Sequence, residues 1–396
     1  MNIETNSIQI HKTPSFFKLA FGIGILNMLI SIGVGLCCSK EQFFFSALTA
    51  GTFALGIPLG ALFFVLIHYL AGARWSVTTR RIAEVMASIT PWMMILLAAV
   101  VLLGMHHLYE WTNPNVVAVD ELLQKKQKYL NVPFFVVRLA IYFIVWTLLT
   151  RFLLKTSVKE DQSSSEATNG SAKAWSPIGI ILFALTVTFA AFDMLMSLDP
   201  HWYSTIFGVY IFAGYVVSFF AAIILICLVL QRNGYLKNIV TIEHYHDLGT
   251  LMFAFTCFWA FCAFSQYMLI WYGNIPEETV FFSHRWAGAW KYASLALPIT
   301  HFAVPFILLM SRPTKRNLKF LSFMCVWLLL AHFLDLHWLV LPNLHHEGFH
   351  FSLLDVTTLI GFTGIFLGIL GKKLSQQALI PINDPYLETS LHHKSR

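Results

Sequence analysis

Ten separate stretches of this chain are apolar and long enough to cross a bilayer, and that leaves few folds open. They lie at 16–38, 43–71, 86–109, 133–154, 177–197, 205–230, 248–272, 286–310, 317–340 and 353–371. A bilayer core needs roughly 20 such residues per helix. Only 12% of the 396 residues are charged and 57% are hydrophobic, against roughly 25% charged in soluble domains. Such a surface is solvated by acyl chains, not by water. No stretch alternates apolar and polar residues as a barrel strand would. The predicted fold is therefore all-α and integral to the membrane, with about ten transmembrane helices.

Most Lys and Arg lie at the N-terminus, in the even-numbered loops and at the C-terminus, among them Arg74, Arg80, Arg81, Arg312, Lys315, Arg316, Lys372 and Lys373. The positive-inside rule then puts both termini in the cytoplasm. The net charge of +6 is spread between apolar runs, which argues for loop charge and against nucleic acid as a partner. Met1 to Pro14 is polar and lacks the short apolar core of a removable signal.

The segment 155–176 holds Ser163-Ser164-Ser165 and Asn169-Gly170 with charges of both signs, and reads as a flexible cytoplasmic linker. A repeat supports a division near it. The third span ends in Trp111-Thr112-Asn113-Pro114, and the seventh in Trp271-Tyr272-Gly273-Asn274-Ile275-Pro276. An offset of four helices keeps orientation, so the expected organisation is two four-helix bundles plus two flanking helices. A cytoplasmic segment (1–15) and a flanking helix (16–42) precede the first bundle (43–154, completed by the helix at 177–197). The second bundle (205–340), a flanking helix (353–371) and a cytoplasmic tail (372–396) follow.

Ionisable side chains inside hydrocarbon cost a few kcal/mol or more, and usually have a partner or a task. Asp193 shares a helical face with Thr186 and Ser197. It reads either as a proton carrier or as half of a structural ion pair with Arg138 at the outer end of the fourth span. His332 and Asp335 are three apart on the ninth span and share a face, an arrangement suited to passing protons because His titrates near neutral pH. His301 stands between Pro298 and Pro305, whose missing N–H groups free the carbonyls of Ser294 and His301. It sits about 15 Å from the inner boundary. With His68 and Glu84 at the cytoplasmic end, these residues make a candidate proton path of Glu84, His68, His301, His332, Asp335 and Asp193. The alternative is a set of separate buried polar groups.

No motif for a bound cofactor or metal is present. The six cysteines lie inside apolar stretches without iron–sulfur or haem-attachment spacing. His346-Glu347-Gly348-Phe349-His350 matches the zinc-protease pattern, but it falls in a loop after Pro342, whereas that chemistry needs both histidines on one helical face. No helix carries the repeated long-spaced histidine pair of a two-haem bundle.

Two compact outer loops lack Lys and Arg and suit docking of an extracytoplasmic partner, or plain capping at the aromatic belt. They carry Ser197-Leu198-Asp199-Pro200-His201-Trp202-Tyr203-Ser204-Thr205-Ile206-Phe207-Gly208-Val209-Tyr210 and Gln266-Tyr267-Met268-Leu269-Ile270-Trp271-Tyr272-Gly273-Asn274-Ile275-Pro276-Glu277-Glu278-Thr279. Both stretches resemble the NrfD/polysulfide-reductase-type membrane subunits of bacterial alternative complex III, over the second to tenth spans. The chain's length resembles the shorter of the two such paralogues. The resemblance implies a multi-pass subunit of the bacterial inner membrane, in a respiratory complex that oxidises quinol and passes electrons to cytochrome c or an oxidase. It implies as partners a second NrfD-like subunit and extracytoplasmic haem c and iron–sulfur subunits, besides lipid. Such subunits hold no cofactor of their own, with quinone or quinol as a transient ligand and proton translocation as a role. It also implies two four-helix bundles. The rival reading of the same buried His and Asp residues is a stand-alone proton- or ion-coupled transporter.

Overall fold

The computed structural model describes residues 8–161 and 167–395, and they form ten helices long and apolar enough to span a membrane. These are α1 (Ser15–Cys37), α2 (Lys40–Ala71), α3 (Val77–Leu103), α4 (Val132–Glu160), α5 (Ala167–Met194), α6 (Phe207–Arg232), α7 (Ile242–Gly273), α8 (Trp290–Met310), α9 (Leu318–Val340) and α10 (Leu353–Leu374). The protein is an all-α, multi-pass membrane protein. Among the described residues the one β-type pairing is an isolated bridge between Gln9 and Ala378.

Local chemistry sets the helix starts. Side chains of Ser39, Asn131, Asn317 and Ser352 accept the first free backbone N–H groups of α2, α4, α9 and α10. Asp355 closes a capping box on Ser352, and Pro133 occupies the first turn of α4. Helix α3 begins nine residues before its expected start and breaks briefly between Ala87 and Thr90, where Pro91 follows. Arg80 and Arg81 are therefore buried in a helix and not loop charges. They can be buried because acidic partners meet them there. The expected linker at 155–176 is also shorter, since α4 runs to Glu160 and α5 starts at Ala167. Ser163-Ser164-Ser165 lies outside the described residues.

Packing arranges the helices in two rings of four. In one, α2 touches α3 and α5, and α4 touches α3 and α5; in the other, α6 touches α7 and α9, and α8 touches α7 and α9. The rings meet through α2 against α6, flanked by α5 against α6 and α2 against α9. Burial follows: 89% of the central apolar window of α2 is buried and 83% of that of α6, against 17% for α1. Helix α10 lies on α2, and α1 lies on α10. A Cβ on Gly24 would come within 2.8 Å of the Gly364 backbone, so this crossing needs two hydrogens face to face. The opposite side of α1 presents Leu19, Leu26, Leu29 and Leu36 outward, as a lipid-facing helix should. Both tails lie at one end of the molecule, where the Leu379 N–H donates to the Ile8 carbonyl at 2.7 Å.

Candidate functional site

Helix α8 is not regular at its centre. Pro298 and Pro305 each lack an N–H, and Pro298–Ala303 widens into a π-helical turn. Such turns arise where the ordinary ladder fails and often mark working sites. The turn carries His301 to the core of the second ring, fully buried, with its ring stacked on Trp259 of α7 at 3.8 Å. His332 of α9 lies 5.9 Å away, centre to centre. It has room there because α6 offers Gly214; a Cβ at that position would stand 2.2 Å from His332 Cε1.

Asp335 completes the group. Its carboxylate accepts hydrogen bonds from the Tyr210 hydroxyl of α6 and, at 3.0 Å, from Trp259 Nε1. His332 Nδ1 is 3.6 Å from Asp335 Oδ2, too far for a hydrogen bond. None of the ring nitrogens of His301 and His332 has a hydrogen-bond partner. A neutral imidazole presents one donor and one acceptor, so both rings can bond a ligand oxygen. The ligating atoms of His301, His332 and Asp335 lie within 4.8 Å of one another.

A cavity of about 720 Å³ opens beside this group, between α7 and α8. Its wall is mainly apolar and aromatic, and Phe264 and Trp271 on its rim are mostly exposed on the lipid-facing surface. Tyr210 and Trp259, which bond Asp335, also line it. At its far end is Arg285, buried, with its guanidinium over the Phe281 ring at 3.5 Å. Arg285 donates to the carbonyls of Phe281, Trp338 and Leu339. Burial pushes its pKa down to about 9, partly offset by the nearby Asp199 carboxylate.

The first ring treats its aspartate differently. Asp193 receives Arg138 in a two-pronged pair, Nε to Oδ2 at 2.8 Å and Nη2 to Oδ1 at 2.9 Å. The hydroxyls of Tyr129 and Tyr142 donate to the same carboxylate at 3.0 and 2.6 Å. Of the alternatives for Asp193, the geometry favours the structural ion pair. Thr186 on the same face is taken up separately, accepting from Trp146 Nε1 at 2.9 Å.

Asp193 and Asp335 occupy matching helices of the two rings, and each is followed seven residues later by a proline, Pro200 and Pro342. Three residues before each stand Ala190 and His332. One copy of the repeat thus holds its aspartate with an arginine, and the other surrounds it with histidines.

The expected six-residue path divides into clusters. His301, His332 and Asp335 come together. Glu84 and His68 do not join them: along α2, Phe53 beside His332 and Phe64 beside His68 are eleven residues apart, or about 16 Å. His68 Nδ1 is bonded to the Phe64 carbonyl of its own helix at 2.7 Å. Glu84 accepts from Tyr69 at 3.0 Å and pairs with Arg80 and Arg81. Between the levels lies the buried hydroxyl of Ser218, which has no hydrogen-bond partner.

Sequence reasoning missed Tyr210, Trp259, Arg285 and Glu160. The aspartate–proline spacing would have pointed to the level at which Tyr210 and Trp259 work. The zinc-protease match at His346, Glu347 and His350 falls in an exposed, non-helical loop, as its position after Pro342 implied. The two outer loops meet through Trp202, stacked on Phe281 at 3.9 Å, and Ser204 bonds Gln266 at 3.1 Å. No protein-family model matches the chain, and no curated protein matches it significantly.

Proposed function

We propose that the chain is a membrane subunit of a quinol-oxidising respiratory complex of the bacterial inner membrane, with both termini in the cytoplasm and no cofactor of its own. Its second helix ring contacts the quinol and handles the protons, while partner subunits with haem c and iron–sulfur centres take the electrons. A second NrfD-like subunit stands beside it. The first ring and the flanking helices serve as scaffold.

One observation carries the reading: a lipid-facing apolar cavity shares two of its lining side chains with a buried His–His–Asp cluster. An isoprenoid quinol is a small ring with two oxygens on a long apolar tail, and it arrives through the lipid. The cavity suits the tail, and Tyr210 and Trp259 suit the ring. Oxidation of one quinol yields quinone, two protons and two electrons. The electrons leave through the partners. The protons need acceptors, and His301, His332 and Asp335 are proton-accepting side chains within reach of one another. Alternating open and bonded states of the two imidazoles would carry a proton over the few ångströms between them.

The test is turnover and proton release of the purified complex in lipid vesicles. His301→Ala and Asp335→Asn should lower quinol oxidation at least about tenfold, in line with loss of a general base, while all subunits remain assembled. Wild-type turnover and proton release in both variants would refute the proposal.

A further inference from the structure

The C-terminal tail folds over the end of the molecule that carries the termini, against a charged cluster. Asp384 of the C-terminal tail meets Arg80 Nη2 at 2.5 Å. Ser390 donates to the Trp75 carbonyl at 2.5 Å, and His393 pairs with Asp247 at 2.6 Å. Below lie Arg80, Arg81 and Glu84 of α3, with Glu160 and Asp161 at the end of α4. The guanidinium groups are fully committed. Arg80 serves Glu84 at 3.3 Å and Asp384. Arg81 serves Asp161 at 2.8 Å and Ser157, and its Nε is 3.2 Å from Glu84 Oε2 while its N–H is aligned on the Ser157 hydroxyl.

Glu160 is left over. It is 3% exposed, and neither carboxyl oxygen has a hydrogen-bond partner. The groups whose charges act on it are Arg80, Arg81 and Glu84 of α3, Tyr69 of α2 and Asp384 of the tail, with Asp161 next to it in the chain. Two cations thus face four carboxyl groups, Glu84, Glu160, Asp161 and Asp384. With both guanidinium groups engaged, Glu160 has no hydrogen-bonded partner among the described residues, and an unpaired buried carboxylate is strongly disfavoured.

We propose that Glu160 is a proton-holding site at the termini end, resting as the neutral carboxylic acid at neutral pH. Its O–H bond breaks when Glu84 accepts the proton, and the protonated Glu84 releases Arg80 to face the Glu160 carboxylate formed. The tail controls this exchange, because Asp384 competes for Arg80. Within the proton-handling reading above, Glu160 is where the path meets water on the termini side. That purpose rests on the reading, but the resting protonation does not.

The test is infrared spectroscopy of the purified complex in lipid at neutral pH, in water and in deuterium oxide. A carbonyl stretch of a protonated carboxylic acid is expected, with a deuterium shift that speeds up in Asp384→Asn. Glu160→Gln should remove the band, Glu160→Asp should move it in frequency, and Glu84→Gln should leave it in place. The proposal is overturned if the wild type has no such band, or if the band persists unchanged in either Glu160 variant. Glu160→Asp keeps the test decisive should the glutamine variant not fold. A band that behaves as expected in a complex without proton release would fault the functional reading and leave this site standing.

Discussion

At the scale of single residues, the two aspartates Asp193 and Asp335 divide structure from chemistry. Asp193 is satisfied from every side by Arg138, Tyr129 and Tyr142. Taking away one partner of a buried pair leaves the other charge stranded, at a cost of about 3–5 kcal/mol. Asp193→Asn should therefore lower the thermal midpoint of the purified protein markedly, and pairing it with Arg138→Met should recover part of the loss. A midpoint unchanged in the single variant would show that the pair does not hold α4 to α5. Asp335→Asn can keep the Trp259 N–H on its amide oxygen and turn its NH2 toward the Tyr210 oxygen, so it should alter turnover more than melting. Gly214→Ala offers an independent probe. The new methyl must displace His332, at about 1–3 kcal/mol for overpacking, and should cut turnover although residue 214 carries no polar group. Which aspartate mattered was only half legible in the sequence. Burial and the Arg138 alternative could be read from it, but the rotation of each helix, which decides who meets whom, could not.

At the scale of elements, apolar length located all ten spans, six of them to within four residues at both ends, because a bilayer-length run is a local signal. Helix α3 was misplaced because Arg80 and Arg81 look like loop charges until Asp384, more than 300 positions away, supplies a counter-ion. The π-helical turn in α8 was foreshadowed by its two prolines, though not the side on which it would present His301. The α1–α10 crossing depends on Gly24 and Gly364. Gly364→Leu should release α1, seen as faster proteolysis of the N-terminal segment, while the two rings keep their melting behaviour; protection equal to wild type would count against the crossing. At the opposite end, Asp120 ties the segment after α3 to the loop before α6. The Leu123 amide, then the His201 ring, hold its carboxyl below the usual carboxylate range. That tie is fully present above the ordinary carboxylate value and is lost as pH falls through the lowered one. Hydrogen exchange around residues 113–131 should accordingly rise only at clearly acid pH, and a rise already near neutrality would contradict the assignment.

At the scale of the whole molecule, two rings of four helices share the seam of α2 and α6, and the repeat places one aspartate per ring at the same level. Symmetry of the scaffold with asymmetry of the side chains explains how one half can be held rigid while the other keeps unbonded imidazoles beside a lipid-facing cavity. The ten spans were legible in the sequence because long hydrophobic runs report themselves. The cavity was not, since it is made by what α7 and α8 fail to fill. On the reading proposed above, the electrons leave through partner subunits. The most direct test is to extract the chain from its own membranes in mild detergent and take optical and iron spectra of what accompanies it. The account expects haem c and iron–sulfur proteins to come with it, carrying quinol oxidation activity. A chain that emerges alone and colourless from intact membranes would contradict it and turn attention to transport through the second ring.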